Sequence, residues 1–316
     1  VPCEVISYAD SRAECQIPAD IGLGWKQLRV RAGGSNFDTV PFLVCSGYIH
    51  FPYCSDGPGA SYFLCLLNPG GEEVPAVLKM SDGTGDFLFR DLDLDPQSRT
   101  TLRPGNLRDG YFCGSLTLAT AGDVMAELPS YQSTADSVGG DTVIGATRTS
   151  ERWYFAEGYT GGGFKETVHV QVPGNQDATL TFRFQTEERG EVVVSGLRAA
   201  CRGSTTSFSV NDLLGSGYQC SLTVESDVPV VAQRDIGFTY ASRSGELWQG
   251  VHRIMGAVCL GRDFLFAEGT TRDGFDEWLT IQNNLTRARI DRIVAQYNYV
   301  FAMKVLEFYK GQGLRL

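Results

Sequence analysis

Phe155-Ala156-Glu157-Gly158-Tyr159-Thr160-Gly161-Gly162-Gly163-Phe164 returns 111 residues later as Phe266-Ala267-Glu268-Gly269-Thr270-Thr271-Arg272-Asp273-Gly274-Phe275. At the same offset Val168 meets Leu279, Val170 meets Ile281, and Gly145-Ala146 meets Gly256-Ala257. Upstream, at an offset of 104, Phe51 meets Phe155, Gly59 meets Gly163, Leu64 meets Val168, Leu66 meets Val170 and Pro69 meets Pro173. Asp123-Val124 meets Asp227-Val228 at that offset, and Ser98-Arg99-Thr100-Thr101 resembles the region of Gly203-Ser204-Thr205-Thr206. The Phe-Ala-Glu-Gly core is not kept in this copy, which reads Phe51-Pro52-Tyr53-Cys54. Self-similarity at a fixed period marks an array of units. Repeats are therefore expected over residues 50–153 and 154–264, with a partial repeat over 265–316 and a different half-length piece over 1–49.

Within a repeat the apolar residues follow period two. Val168, Val170 and Val172 alternate with Thr167, His169 and Gln171; Leu180, Phe182 and Phe184 alternate with Thr181 and Arg183. Phe208 and Val210, then Cys220, Leu222 and Val224, continue the pattern. Short alternating runs separated by Pro173-Gly174-Asn175, Glu188-Arg189-Gly190 and Gly215-Ser216-Gly217 predict half-buried antiparallel strands joined by turns. The expected fold is all-β, a tandem set of immunoglobulin-like β-sandwich domains. Val228-Pro229-Val230 reads as a strand entry or an edge, where proline is tolerated. Residues 131–152, rich in Ser, Thr, Asp and Gly, read as a long loop or linker.

Composition narrows the function classes. The 316 residues carry 27 basic and 37 acidic side chains, a net charge of −10, which opposes non-specific binding to nucleic acid. A hydrophobic fraction of 42% suffices for packed cores, and no apolar run is long enough to span a membrane as a helix. The nine cysteines lack CxxC or zinc spacing. Scattered in this way they predict disulfides and an extracellular, oxidising location. Candidate pairs are Cys201 with Cys220, Cys113 with Cys65 or Cys54, and Cys3 with Cys15 across a hairpin turn at Tyr8-Ala9-Asp10.

Two family resemblances follow from these residues. Gln16-Ile17-Pro18-Ala19-Asp20, Leu28-Arg29-Val30-Arg31-Ala32-Gly33-Gly34-Ser35-Asn36 and Val40-Pro41-Phe42-Leu43-Val44 resemble the C-terminal half of an IPT/TIG immunoglobulin-like domain. Such domains commonly end in Gly-Gly-x-Ser-Asn and Pro-Phe-x-Val; here Ser35 follows Gly34 directly. The Phe-Ala-Glu-Gly-x-Thr-x-x-Gly-Phe copies resemble a tandem repeat of large secreted bacterial surface proteins. The resemblance implies an extracellular, modular protein at the cell surface, structural or adhesive, and brings no catalytic residue or cofactor with it.

Catalytic patterns are weak throughout. His50, His169 and His252 are the three histidines, and none has a metal-like partner three or four residues away. His169 reads as a solvent-facing strand residue and His252 as a packing residue in a loop. HExxH, GxSxG and P-loop spacings do not occur. A Ser/His/Asp set could only assemble in space. Asp91-Leu92-Asp93-Leu94-Asp95 reads as a strand with its aspartates in water, with a calcium loop as the alternative. Asp82-Gly83-Thr84-Gly85-Asp86 reads as a hairpin turn. Glu157 and Glu268 lie a domain apart, too far for a glycosidase pair, and are expected to hold backbone at a turn or at a junction between domains. Gly161-Gly162-Gly163 reads as a flexible turn. Trp153-Tyr154, Trp248 and Trp278 read as core or interdomain packing, with stacking on glycans as the alternative. Asn284-Leu285-Thr286 is the one glycosylation sequon, and residues 130–150 could carry O-linked sugar.

The two ends complete the reading. Residues 1–49 resemble the back half of a sandwich and residues 265–316 the front half of a repeat. A half-sandwich leaves open edges and an apolar face. The apolar, strand-prone stretch containing Val300, Phe301, Val305, Leu306, Phe308 and Tyr309 is expected to form a subunit junction. The expected function is therefore not enzymatic. It is a structural subunit of an extracellular filament or surface fibre, a head-to-tail homopolymer built by strand complementation. The alternative is an adhesin or carbohydrate-binding fragment of a longer stalk.

Overall fold

The alternation of apolar and polar side chains becomes strand through most of the chain, and the fold is all-β, built of antiparallel sheets in sandwich packing. The structure, a computed structural model, describes residues 4–9, 12–16, 21–32, 35–83, 87–133, 138–241, 245–264 and 279–282. Two ribbons come first. β1 (Glu4–Ala9) and β2 (Arg12–Gln16) form a hairpin, with Ala9 opposite Arg12. β3 (Gly24–Ala32) and β4 (Ser35–Val44) form the second ribbon, opening with Gly24 opposite Val44.

The next nine strands make a sandwich. They are β5 (Gly47–Asp56), β6 (Ala60–Tyr62), β7 (Leu64–Asn68), β8 (Val74–Asp82), β9 (Phe87–Leu94), β10 (Ser98–Leu102), β11 (Phe112–Thr120), β12 (Met125–Ser133) and β13 (Val138–Ile144). One sheet runs β5-β11-β8-β9 and the other β10-β7-β12-β13, with β6 on β12. Phe51, Leu64, Leu66, Leu78, Met80, Leu116, Leu118 and Leu128 fill the space between them.

A second hydrophobic cluster lies between β14 (Ser150–Phe155), β15 (Phe164–Gln171), β16 (Ala178–Thr186), β17 (Gly190–Ala199), β18 (Thr205–Ser209), helix α1 (Val210–Leu214), β19 (Cys220–Ala241) and β20 (Leu247–Met255). The first half of β19 lies between β14 and β16, with β17 beyond; its second half lies between β15 and β20, with β18 outside β15. That is the arrangement of the first sandwich, with β19 in place of β11 plus β12. The strand order of the first sandwich thus recurs in the second. The bridge His50–Ala146 recurs as Tyr154–Ala257. Gly145 recurs as Gly256 because each lies against the aromatic strand opening its unit. A Cβ would come within 2.2 Å of Ile49 at the first and 2.7 Å of Phe155 at the second.

Gly59 and Gly163 recur for a conformational reason. Both are left-handed, with φ of 81° and 83°. Their carbonyls accept from the amides of Ser133 and Thr239, each at 2.8 Å. A Cβ on Gly163 would sit 1.9 Å from the Thr239 carbonyl oxygen. Gly163→Ala is expected to destabilise the protein by roughly 2 kcal/mol or more, measured as a lower urea midpoint.

Three expectations change. Residues 131–152 do not form a long loop: β12 runs to Ser133, β13 pairs along it from Val138, and β14 begins at Ser150. Val210 does not extend a strand. It opens α1, whose N-cap Ser209 accepts from the Asp212 amide at 3.2 Å, and it is buried with Leu214. Pro229 is neither an entry nor an edge but lies inside the 22-residue β19. It is tolerated because pairing with β16 ends at Ser226 and pairing with β15 starts at Val231, so no ladder there needs its missing N–H. Asp91 and Asp93 are exposed on β9 while Leu94 is buried. Among the described residues no helix is long and apolar enough to cross a membrane.

The expected disulfides are corrected. Cys65, Cys113, Cys201 and Cys220 are free thiols, as is Cys54. Cys201 follows the Ala178/Ala199 end of the β16–β17 pair, and Cys220 pairs at the Thr186 end. A nine-residue strand separates those ends, roughly 25 Å. Cys65 alternates with buried Leu64 and Leu66, and Cys113 with buried Phe112 and Gly114, so the two point outward from opposite sheets. The argument for an oxidising location from these cysteines therefore lapses. Cys3, Asn284 and the junction candidates Val300, Phe301, Val305, Leu306, Phe308 and Tyr309 lie outside the described residues.

Candidate assembly junction

Four polar residues at strand positions that alternation assigns to solvent are buried. His50 on β5 is 5% exposed, His169 on β15 is 4% exposed, and Gln171 and Gln233 are fully covered. The reason is that β5 and β15 have two buried faces. One packs on its own core through Phe51, Val168 and Val170; the other packs against the neighbouring sandwich. His169 is thus not solvent-facing. Its ring stacks on Tyr53 at 3.9 Å with a 7° tilt, Nδ1 meets the Ser207 hydroxyl at 2.8 Å, and Nε2 lies 3.7 Å from Asp235.

Asp235 is the electrostatic centre of the seam. It accepts from Arg253 Nε at 3.0 Å and from Gln233 Nε2 at 2.8 Å. Burial works to raise its carboxyl, but His169, Arg253 and Gln233 outweigh that and hold it below the usual range. Arg253, on β20, reaches into the first sandwich. Its guanidinium donates to Ser130 Oγ at 2.6 Å and to Gln132 Oε1, and lies over the Tyr62 ring at 5.3 Å. Its backbone amide donates to Asp141, which also pairs with His252 at 3.3 Å. His252 is accordingly a strand residue on β20, not a loop residue.

Hydrogen bonds to side chains and to backbone fix the rest of the seam. Gln171 Nε2 donates to Thr117 Oγ1 at 2.9 Å, and Lys79 donates to the Arg202 carbonyl at 2.6 Å. Ser115 donates to the Gly203 carbonyl and Thr205 to the Pro52 carbonyl. His50 lies 3.2 Å from Thr117, and burial lowers its pKa from 6.5 to about 4.

This junction occurs twice. Thr223 occupies on β19 the place of Thr117 on β11: Leu118 faces Ile49 while Val224 faces Trp153, the matching strand positions. Gln282 follows Gln171 by the 111-residue offset. Gln282 Nε2 donates to Thr223 Oγ1 at 3.1 Å and to Gln185 Oε1 at 3.0 Å. Gln282 therefore repeats on the second sandwich the glutamine-on-threonine contact that Gln171 makes on the first. Sequence reading missed Thr117, Gln171, Thr223, Gln282, Asp235 and Arg253. The recurrence of Gln171 as Gln282 was the available signal.

Glu157 of the repeated motif does not hold backbone. Its carboxylate pairs with Arg234 at 3.1 Å, and its carbonyl accepts from the same guanidinium. Arg234 is 2% exposed. Behind it Glu166 is buried, and neither of its oxygens has a well-formed hydrogen bond. Trp153 is core and donates to the Val230 carbonyl at 2.9 Å. Trp248 meets Tyr240 edge-on at 6.1 Å, at the end of a half-buried row formed with Phe238, Phe164 and Tyr159. Trp278 and Glu268 lie outside the described residues.

Ser207, His169 and Asp235 do form a Ser/His/Asp set, but its wiring suits packing. The carboxylate also accepts from Arg253 and stands 3.7 Å from the ring, a longer contact than the aspartate–imidazole hydrogen bond of a triad. Among the described residues no group of three or more His, Cys, Asp or Glu side chains is placed to hold a metal ion.

The sequence matches no protein-family model and no curated protein. Among solved structures it is similar to the one titled "Crystal Structure of Thermotoga maritima 1070", at 20% identity over 34% of this chain and 93% of that one, with a TM-score of 0.30, too low to carry an argument.

Proposed function

We propose that the chain is a structural subunit of an extracellular filament or cell-surface fibre, adding copy to copy head to tail by strand complementation. The observation that carries this is the repetition of one junction, Gln171 on Thr117 and then Gln282 on Thr223. A contact that joins unlike faces and recurs in one sense extends into a filament wherever its rotation does not close a ring. The buried seam built on Asp235 and Arg253 supports a load-bearing role over a dissociating one. Placement at the cell surface rests on the sequence resemblance alone. The half-buried aromatic row from Tyr159 to Trp248 favours a second reading, a glycan-binding stalk, which a glycan screen would support.

Electron microscopy at near-physiological salt tests the first reading. Uniform filaments of constant axial rise are expected; isolated short rods at every concentration would overturn it. Gln282→Ala removes the two hydrogen bonds that tie residues 279–282 to the second sandwich. It is expected to raise the concentration needed for filaments roughly five- to tenfold, read by pelleting, while the melting of the two sandwiches stays unchanged.

A further inference from the structure

Resting on the assembly reading, we propose a specific mating surface: residues 279–282 of one copy add as a strand to β3 of a second copy, with Ile281 over Leu23 and Leu279 over Trp25.

The two complete sandwiches supply the rule. The strand carrying Leu64 and Leu66 is paired by β12, with Leu66 opposite Ala126. The strand carrying Val168 and Val170 is paired by β19, with Val170 opposite Ala232 and Val168 opposite Arg234. Leu279 and Ile281 are the third version of these residues, yet they are 66% and 63% exposed where Leu66, Val168 and Val170 are at most 1% exposed.

Among the described residues β3 is the counterpart of that pairing strand. In each sandwich the pairing strand is the first arm of a hairpin that immediately precedes the next unit. β12–β13 opens at Glu127/Ile144 before β14, and β19–β20 opens at Gln233/Met255 before the third copy. β3–β4 opens at Gly24/Val44 before β5. Superposing the three open ends puts Leu23 in the place of Ala126 and Ala232, and Trp25 in the place of Leu128 and Arg234. Leu23 and Trp25 are 51% and 36% exposed. β3 pairs with β4 on one side, and its other edge has no partner among the described residues. Four exposed apolar side chains and one open edge are thus what a second copy, docked in the register already used twice, would cover.

Three double variants of the whole 316-residue chain test this. L23C with I281C, oxidised after assembly, should give an intermolecular bridge between positions 23 and 281, identified by mass spectrometry of non-reduced peptides; Q27C with I281C, four residues out of register on β3, should not. L279D with I281D changes only exposed side chains and should keep the wild-type melting transition while losing filaments. Filaments with a bridge at 27, with no bridge at 23, or surviving the double aspartate variant would overturn the register and leave the assembly reading standing. A 23–281 bridge confined to single chains would overturn it as well. Absence of filaments from the wild-type chain overturns both.

Discussion

Arg253→Met lowers the stability of the folded protein by about 3–5 kcal/mol, the range for leaving one member of a buried ion pair without its partner. Asp235 is the stranded group. In the wild-type protein Arg253 and Gln233 donate to it, and His169 stands near it, so its charge is stabilised despite burial. Methionine fills much of the arginine's volume, so the loss is electrostatic more than steric. The same substitution removes the donors to Ser130 and Gln132, which belong to the other sandwich. Two consequences separate this from a generic core defect. The melting midpoint should drop by roughly ten degrees, and the single transition should split, because Arg253 ties β20 to β12. Arg253→Met with Asp235→Asn should recover a good part of the loss, since no buried charge is left unpaired. A single variant that melts like wild type would show that the seam does not couple the two bodies.

The period-two pattern and the repeat offsets were enough to read the strands and most of their turns. They were not enough to read the seam. Val168 and Val170 announce a core face, and His169 and Gln171 then read as solvent-facing, because alternation carries no information about a second packing partner. Burial of both faces of β15 is a property of how two sandwiches meet. Arg253 and Asp235 sit on paired strands in the second sandwich, yet Arg253's partners Ser130 and Gln132 lie more than a hundred residues away in the first. No local pattern links them. The cysteine pairings went astray for a related reason. Spacing along the chain says nothing about which end of a strand, or which face of a sheet, a thiol occupies. Glu157 pairs with Arg234, seventy-seven residues on, and nothing in the repeated motif names that partner.

Glu166→Gln is expected to stabilise the protein at pH 8 by about 3 kcal/mol and to change little at pH 4.5. Glu166 is buried against Arg234, Glu157 and Cys220, and beyond Glu157 lies His252. Burial raises its pKa from 4.5 to about 7, against the opposing pull of Arg234 and the Tyr159 amide, with Glu157 adding to the rise. Between those two values the folded state holds a proton that the unfolded state has released. Its contribution is therefore fully present below pH 4.5 and is lost as pH rises through 7. His50 has the opposite sign. Its folded pKa of about 4 lies below 6.5, so its neutral ring favours the native state above pH 6.5 and that contribution is lost as pH falls through 4. In the wild-type protein the two slopes largely cancel from pH 4.5 to 6.5. The glutamine variant removes one of them. Urea unfolding across pH 4 to 8 should then be nearly flat for wild type up to about 6.5 and decline toward pH 7.5, whereas the variant should rise steadily from pH 4 to 6.5 and hold. Parallel curves for the two proteins would mean that Glu166 stays ionised in the folded state and that Arg234 satisfies it fully.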